Sequence, residues 1–119
     1  MKDLRLVLCD IDGTLIVTGQ PLRARTKDVL NRLHEHGVLV GIASGRSVDQ
    51  QLIHQADQWN LGWQFDVIIG MNGGELWDGL WQKRSDYFKL QQEWIQEINE
   101  LMAPFNLIPY MYYHDVMLC

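Results

Sequence analysis

Two aspartates stand two residues apart in Asp10-Ile11-Asp12-Gly13-Thr14-Leu15, directly after the apolar run Leu4-Arg5-Leu6-Val7-Leu8-Cys9. Where a strand gives way to a turn, two carboxylates at this spacing point into one crevice. Hard oxygen donors of this kind suit Mg²⁺ and the phosphate oxygens it carries. One carboxylate can attack phosphorus while the other moves a proton. Gly13 permits a tight turn and a close backbone approach, and Thr14 brings a hydroxyl that can donate a hydrogen bond. Acidic residues also turn chains without doing chemistry; the full run behind an apolar strand favours the chemical reading.

The elements that must position these residues follow from the apolar pattern. Val38–Ala43 and Phe65–Ile69 read as two further buried strands. Pro21–His36 reads as a helix with Leu22, Val29, Leu30 and Leu33 on one face, Pro21 in its first turn and Gly37 just past its end. Ser47–Asn60 reads as a second helix with the stripe Val48, Leu52, Ala56 and Trp59. Strands alternating with helices imply βαβ units and a parallel sheet. The loops after the carboxyl ends of such strands form the binding crevice. Two more segments therefore join the aspartates on one edge: Ser44-Gly45-Arg46 and Met71-Asn72-Gly73-Gly74.

After Gly74 the rhythm changes. Glu75-Leu76-Trp77 and Leu80-Trp81-Gln82 flank Asp78-Gly79, which predicts a hairpin with a two-residue turn. Leu90–Ala103 predicts a third helix with Trp94, Ile95, Ile98, Leu101 and Met102 inward. Asn106–Tyr113 and Val116–Cys119 read as strands of a separate small sheet, where Tyr110, Tyr112, Tyr113 and His114 are candidates to border a pocket. The five tryptophans read as core packing and docking residues. The expected division is 1–85 for the first unit and 86–119 for the second.

Composition sets the outer bounds. The chain has 119 residues, 47% of them hydrophobic and 21% charged, as an ordinary folded protein does. A net charge of −5 argues against a nucleic-acid or anionic-membrane binder, which needs clustered Lys and Arg. No apolar run approaches the ~20 residues that span a bilayer. Two cysteines make no disulfide framework, and Cys9 lies inside a strand, so a cytoplasmic setting is expected.

The segment Asp10–Leu15 resembles the signature motif of the haloacid dehalogenase-like phosphohydrolase superfamily. Ser44-Gly45-Arg46 and Asn72-Gly73-Gly74 are similar to the second motif and the third-strand turn of its Cof-type branch, which carries a large cap after the third strand. The resemblance is close over residues 4 to about 85 and rests on element order beyond them. It implies an α/β fold: part of a Rossmann-like parallel core, then the start of an α+β cap. It also implies a phosphomonoester hydrolase using Mg²⁺ and an aspartyl-phosphate intermediate, with small phosphorylated metabolites, sugar phosphates above all, as substrates.

Carried over by residue, Asp10 is the nucleophile and a metal ligand. Asp12 is the proton carrier, its backbone carbonyl the second ligand. Ser44 and the Gly45 amide hold phosphoryl oxygens, while Asn72 and Gly73 border the site. Arg46 either reaches the phosphate and substrate or stands solvated at a helix start. The family also uses a lysine and a Gly-Asp…Asp run from a core segment after the cap. Nothing here matches either, so the resemblance implies an N-terminal portion that awaits a C-terminal segment or associates with itself. The competing reading is a non-catalytic remnant. A receiver-type signalling domain would need an aspartate where Gly70-Met71-Asn72 stands, and a later lysine.

Overall fold

The computed structural model describes residues 3–107, 111–113 and 116–118. The expectations for the side chains of Tyr110, Tyr112, Tyr113 and His114 fall outside the described part. The chain forms two compact units, Met1–Tyr87 and Phe88–Cys119.

In the first unit β1 (Leu6–Asp10), β2 (Leu39–Ala43) and β3 (Val67–Gly70) lie side by side and parallel. Leu6 pairs with Leu39 and Asp10 with Ala43, and Gly41 pairs with Val67. Connecting β1 to β2 is α1 (Ala24–Glu35). At its end Gly37 sits at φ +75°, the Val38 amide bonds the Leu33 carbonyl, and the Gly37 amide bonds that of His34. This pair of bonds satisfies carbonyls that the helix end leaves free.

The sheet is mixed rather than wholly parallel. β4 (Glu75–Asp78) and β5 (Lys83–Asp86) form the expected hairpin, but β4 also pairs antiparallel with β3. The reason lies in the 3₁₀ turn Met71–Gly73, where Met71, Asn72 and Gly73 have φ of 48°, 53° and 98°. A reversal this tight leaves no room for a crossover helix and returns the chain beside β3.

Two sequence expectations are corrected. The hairpin turn is Gly79–Gln82 rather than two residues. Asp78 Oδ1 accepts the amides of Leu80 and Trp81, and the Gly79 amide donates to the Asp66 carbonyl at 2.7 Å. Leu80 and Trp81 thus leave the strand and are 62% and 81% exposed. The helix expected over Ser47–Asn60 is a 3₁₀ turn (Leu52–His54) followed by one helical turn, α2 (Gln55–Gln58). Its first amides are drawn elsewhere. Val48 N donates to Glu75 Oε2, while the Leu52 and Ile53 amides reach carbonyls five residues back, at Ser47 and Val48. The stripe Val48, Leu52 and Ala56 is buried nonetheless.

The core lies on one face of the sheet. Val40, Ile42 and Ile68 meet Leu30 of α1, Ala56 of α2, Leu52, Leu61 and Phe65. Trp59 and Trp63 stand edge-on to Phe65, and Trp63 also stacks on His34 at 4.4 Å. The opposite face is barer: Leu4, Leu6 and Leu8 keep 39%, 43% and 42% exposure. β1 is also one of the sheet's two edge strands, paired with β2 alone.

The second unit holds α3 (Gln92–Met102), a 3₁₀ turn over Ala103–Phe105, and the antiparallel pair β6 (Met111–Tyr113) and β7 (Val116–Leu118). Along α3 the amphipathic pattern is present, but the face expected inward is largely open, with Trp94 50% and Leu101 65% exposed. An apolar stripe is buried only when another layer covers it. Among the described residues no helix is long and apolar enough to cross a membrane.

Candidate active site

The site is built at the carboxyl edge of β1, β2 and β3. Asp10 is the last residue of β1, and the chain folds back at once. The amides of Thr14, Leu15 and Ile16 all reach the carbonyl of Ile11, whose side chain is fully buried. Gly13, at φ +81°, closes the turn with its amide on the Ile16 carbonyl at 2.8 Å. This anchored turn presents Asp10 and Asp12 outward. Thr14 Oγ1 donates to Asp10 Oδ2 at 3.1 Å, so one carboxylate oxygen is held and the rotamer fixed.

The loop after β2 is tied to the loop after β3. Ser44 N donates to the Ile69 carbonyl, Asn72 N to the Ser44 carbonyl, and Met71 N to the Arg46 carbonyl. Arg46 N donates to Ser44 Oγ at 3.2 Å. Gly45 lies against Asn72: a Cβ at 45 would stand 3.1 Å from Asn72 Oδ1. Gly45 itself is exposed.

Arg46 links the second loop to the first. Its Nη2 donates to both carboxylate oxygens of Asp12, at 2.7 and 2.8 Å. The sequence left Arg46 between substrate and solvent; the structure gives it a third place, on Asp12. Both side chains are 34% exposed, so the ion pair contributes only about 1 kcal/mol to stability. Its weight lies in geometry, because it occupies the carboxylate expected to move protons.

Thus Asp10 meets Thr14, Asp12 meets Arg46, Ser44 meets Arg46, and Gly45 meets Asn72. Gly73 supplies the turn, and among the described residues no hydrogen bond joins it or Asn72 to the aspartate loop. Three residues of the surroundings escaped the sequence reading. Glu75 and Arg84 brace the loop after Arg46 through Val48 and Asp49. Gln55, 4% exposed, turns its carboxamide toward Arg46. A signal for Gln55 was there, since it lies seven residues after Val48 and three after Leu52, on the buried stripe.

For Mg²⁺ the donor chemistry fits in kind: the Asp10 carboxylate and the Asp12 backbone carbonyl are hard oxygens. Among the described residues no group of three or more His, Cys, Asp or Glu gathers to hold a metal. Two protein donors would leave most of an octahedral shell to water and phosphate. A separate cavity of about 360 Å³ lies at the amino end of β3, lined by His54, Asp57, Phe65, Asp66 and Trp77. Neither Asp10 nor Asp12 lines it.

Solved structures share the fold. A phosphatase of the haloalkanoate dehalogenase superfamily from Bacteroides thetaiotaomicron superposes with a TM-score of 0.75 at 21% identity, over 96% of this chain and 40% of its own. A subclass IIB sugar phosphatase matches with a TM-score of 0.75 at 21% identity, over 95% and 42%. A protein from Thermotoga maritima matches with a TM-score of 0.74 at 23% identity, over 97% and 41%. At these identities the likeness shows the fold. The chain spans about two fifths of the length of these solved structures. No curated protein matches it significantly. The sequence profile of the haloacid dehalogenase-like hydrolases matches residues 7–119, nearly the whole chain, and the chain belongs to that family.

Proposed function

We propose that the chain carries the nucleophile and proton-transfer half of a Mg²⁺-dependent phosphomonoester hydrolase. The single observation that carries this reading is the anchored turn with Asp10 and Asp12 at the carboxyl edge, joined through Arg46 to the loop of Ser44 and Gly45. Asp10, held at Oδ2 by Thr14, attacks phosphorus with its other oxygen. The ester P–O bond breaks, and the leaving oxygen takes a proton that Asp12 gains from solvent on its release from Arg46. Asp12 then takes a proton from the water that attacks phosphorus and frees Asp10, releasing phosphate. Ser44 Oγ and the Gly45 amide hold the equatorial oxygens as charge develops there. The Asp10 carboxylate and the Asp12 carbonyl would hold Mg²⁺, which would supply charge neutralisation. For Asp12 to act, Arg46 must give way.

The proposed substrates are small phosphorylated metabolites, sugar phosphates first, in line with the sugar phosphatase of the same fold. A reducing cytoplasm suits a chain whose described cysteine, Cys9, is a free thiol. The acidic net charge of −5 speaks against nucleic acid as partner.

A second reading is favoured by the bare face of β1 and its free edge. In it the chain binds Mg²⁺ and phosphate but turns over only with further polypeptide, in the same molecule or from a partner, beside β1. Hydrolysis of p-nitrophenyl phosphate, with and without a supplied C-terminal core segment, separates the two. Activity is expected to need Mg²⁺ and to fall at least ~1,000-fold in Asp10→Asn. Activity that survives that substitution overturns the nucleophile assignment. Absence of both turnover and phosphate binding overturns the reading as a whole.

A further inference from the structure

Among the described residues the interior of the chain holds two polar side chains, Ser47 and Gln55. A buried carboxamide costs about 1–3 kcal/mol unless its polar atoms are satisfied. Gln55 Nε2 donates to Gln58 Oε1 at 3.2 Å. Its Oε1 points the other way, to Arg46 Nη1 at 3.5 Å, a long contact between a full charge and a carbonyl dipole.

The orientation of Arg46 makes this contact informative. A guanidinium meeting a carboxylate commonly forms two parallel bonds, one from each of two nitrogens. Here a single nitrogen, Nη2, serves both oxygens of Asp12, while Nη1 is turned away to Gln55. The backbone of Arg46 is fixed as well, by Ser44 Oγ on its amide and by Met71 N on its carbonyl. Side chain and backbone are therefore both held, and Gln55 is the group on the far side of the guanidinium.

We propose that Gln55 is a positioning residue for Arg46. Its buried carboxamide keeps the guanidinium turned, so that Asp12 is gripped through one nitrogen. Nη2 is then free to pass from Asp12 to an incoming phosphoryl oxygen while Nη1 stays on its pivot. Arrival of a tetrahedral oxyanion thus releases the proton carrier and places a cation on the anion in one movement. The exchange rests on the phosphatase reading; the positioning of Arg46 on Asp12 does not.

The test uses the full chain, Gln55→Leu, which fills the space without an acceptor, and Gln55→Glu, which restores an acceptor oxygen. In the ligand-free proteins, ¹⁵N NMR of the Arg46 guanidinium is expected to show distinct, slowly rotating Nη groups in wild type and Gln55→Glu. In Gln55→Leu these are expected to average. Calorimetry with inorganic phosphate and Mg²⁺ is expected to show phosphate binding about fivefold to tenfold weaker in Gln55→Leu, as lost pre-organisation would give. Binding of Mg²⁺ alone should be unchanged, which a merely structural role would not spare. Unchanged Arg46 signals in Gln55→Leu, or equal losses of Mg²⁺ and phosphate binding, overturn the inference. A wild-type chain that takes up no phosphate overturns the phosphatase reading and the exchange, while the guanidinium signals still decide the positioning.

Discussion

The carboxylate of Glu75 accepts the amide of Val48 at 2.7 Å, tying the first residue of β4 to the loop that carries Arg46. The other oxygen of Glu75 lies 3.1 Å from Arg84 Nη2, and Arg84 also pairs with Asp49 and Asp86. Burial alone would lower the pKa of this guanidinium. The hydrogen bonds to Asp49 and Asp86 and the charges of Glu75 and Asp49 outweigh that and hold it above its ordinary value. Replacing Glu75 by Ala leaves a buried amide without its acceptor. A loss of about 1–3 kcal/mol is expected by urea unfolding, with faster amide exchange at Val48. Unchanged protection there would show that the tie carries no energy.

Two kinds of glycine should respond to different degrees to alanine. At Gly41 a Cβ would stand 2.6 Å from the Val67 carbonyl oxygen, backbone of the neighbouring strand. That strand cannot yield without breaking its pairing, so Gly41→Ala is expected to cost more than ~2 kcal/mol. At Gly13 nothing lies within 4 Å, and only the φ of +81° opposes a side chain. There the expected cost is about 1 kcal/mol. Paired denaturation curves check the ordering.

The Thr14 hydroxyl donates to the proposed nucleophile, Asp10. Thr14→Val keeps the shape and removes the donor to Asp10 Oδ2. In the proposed hydrolase kcat is expected to fall about tenfold, with Mg²⁺ still required, because the carboxylate loses its fixed rotamer. Steady-state kinetics against p-nitrophenyl phosphate read this directly. An unchanged kcat would make the hydroxyl an onlooker.

Cys9, next to Asp10 on β1, has its thiol pKa pushed above 9.0 by burial. Fewer thiolates exist at a given pH, so alkylation by iodoacetamide between pH 8 and 9 should be slower than for an exposed cysteine. Cys119→Ser isolates the signal. The linkage has a definite sign: between the unfolded and the raised folded pKa, the folded chain holds more protons. This contribution to stability is therefore whole below pH 9 and is lost as pH rises beyond it. Denaturation at pH 8 and pH 10 measures the loss.

Much of this was legible in the residues. Apolar runs located β1, β2 and β3, and Gly37 marked the end of α1. The stripe Val48, Leu52 and Ala56 was read correctly as buried, although the helix drawn through it was not. Periodicity reports which side chains face inward; it does not report where backbone amides bond. That was decided at a distance, by Glu75 on Val48. The same holds for the turn at Asp78, where a carbonyl of Asp66 took the Gly79 amide. The motifs placed Asp10, Asp12, Ser44 and Arg46 on one edge, but the grip of Arg46 on Asp12 needed the fold. Gln55 stood on the buried stripe although its type says surface, and its contact with Arg46 also needed the fold.

The order of the sheet bears on when the site exists. The β4–β5 hairpin closes over four residues, β2 and β3 join over a longer loop, and Leu6 meets Leu39 over a longer one still. Closing a longer loop forfeits more entropy, and β1, with one neighbour, regains less than a central strand. On this argument β1 is expected to join late in folding and to leave early on opening. It is also the strand that ends in Asp10. Transient opening of one edge would unmake the proposed nucleophile's place while most of the core stays intact, and any contact along that edge would keep it in being.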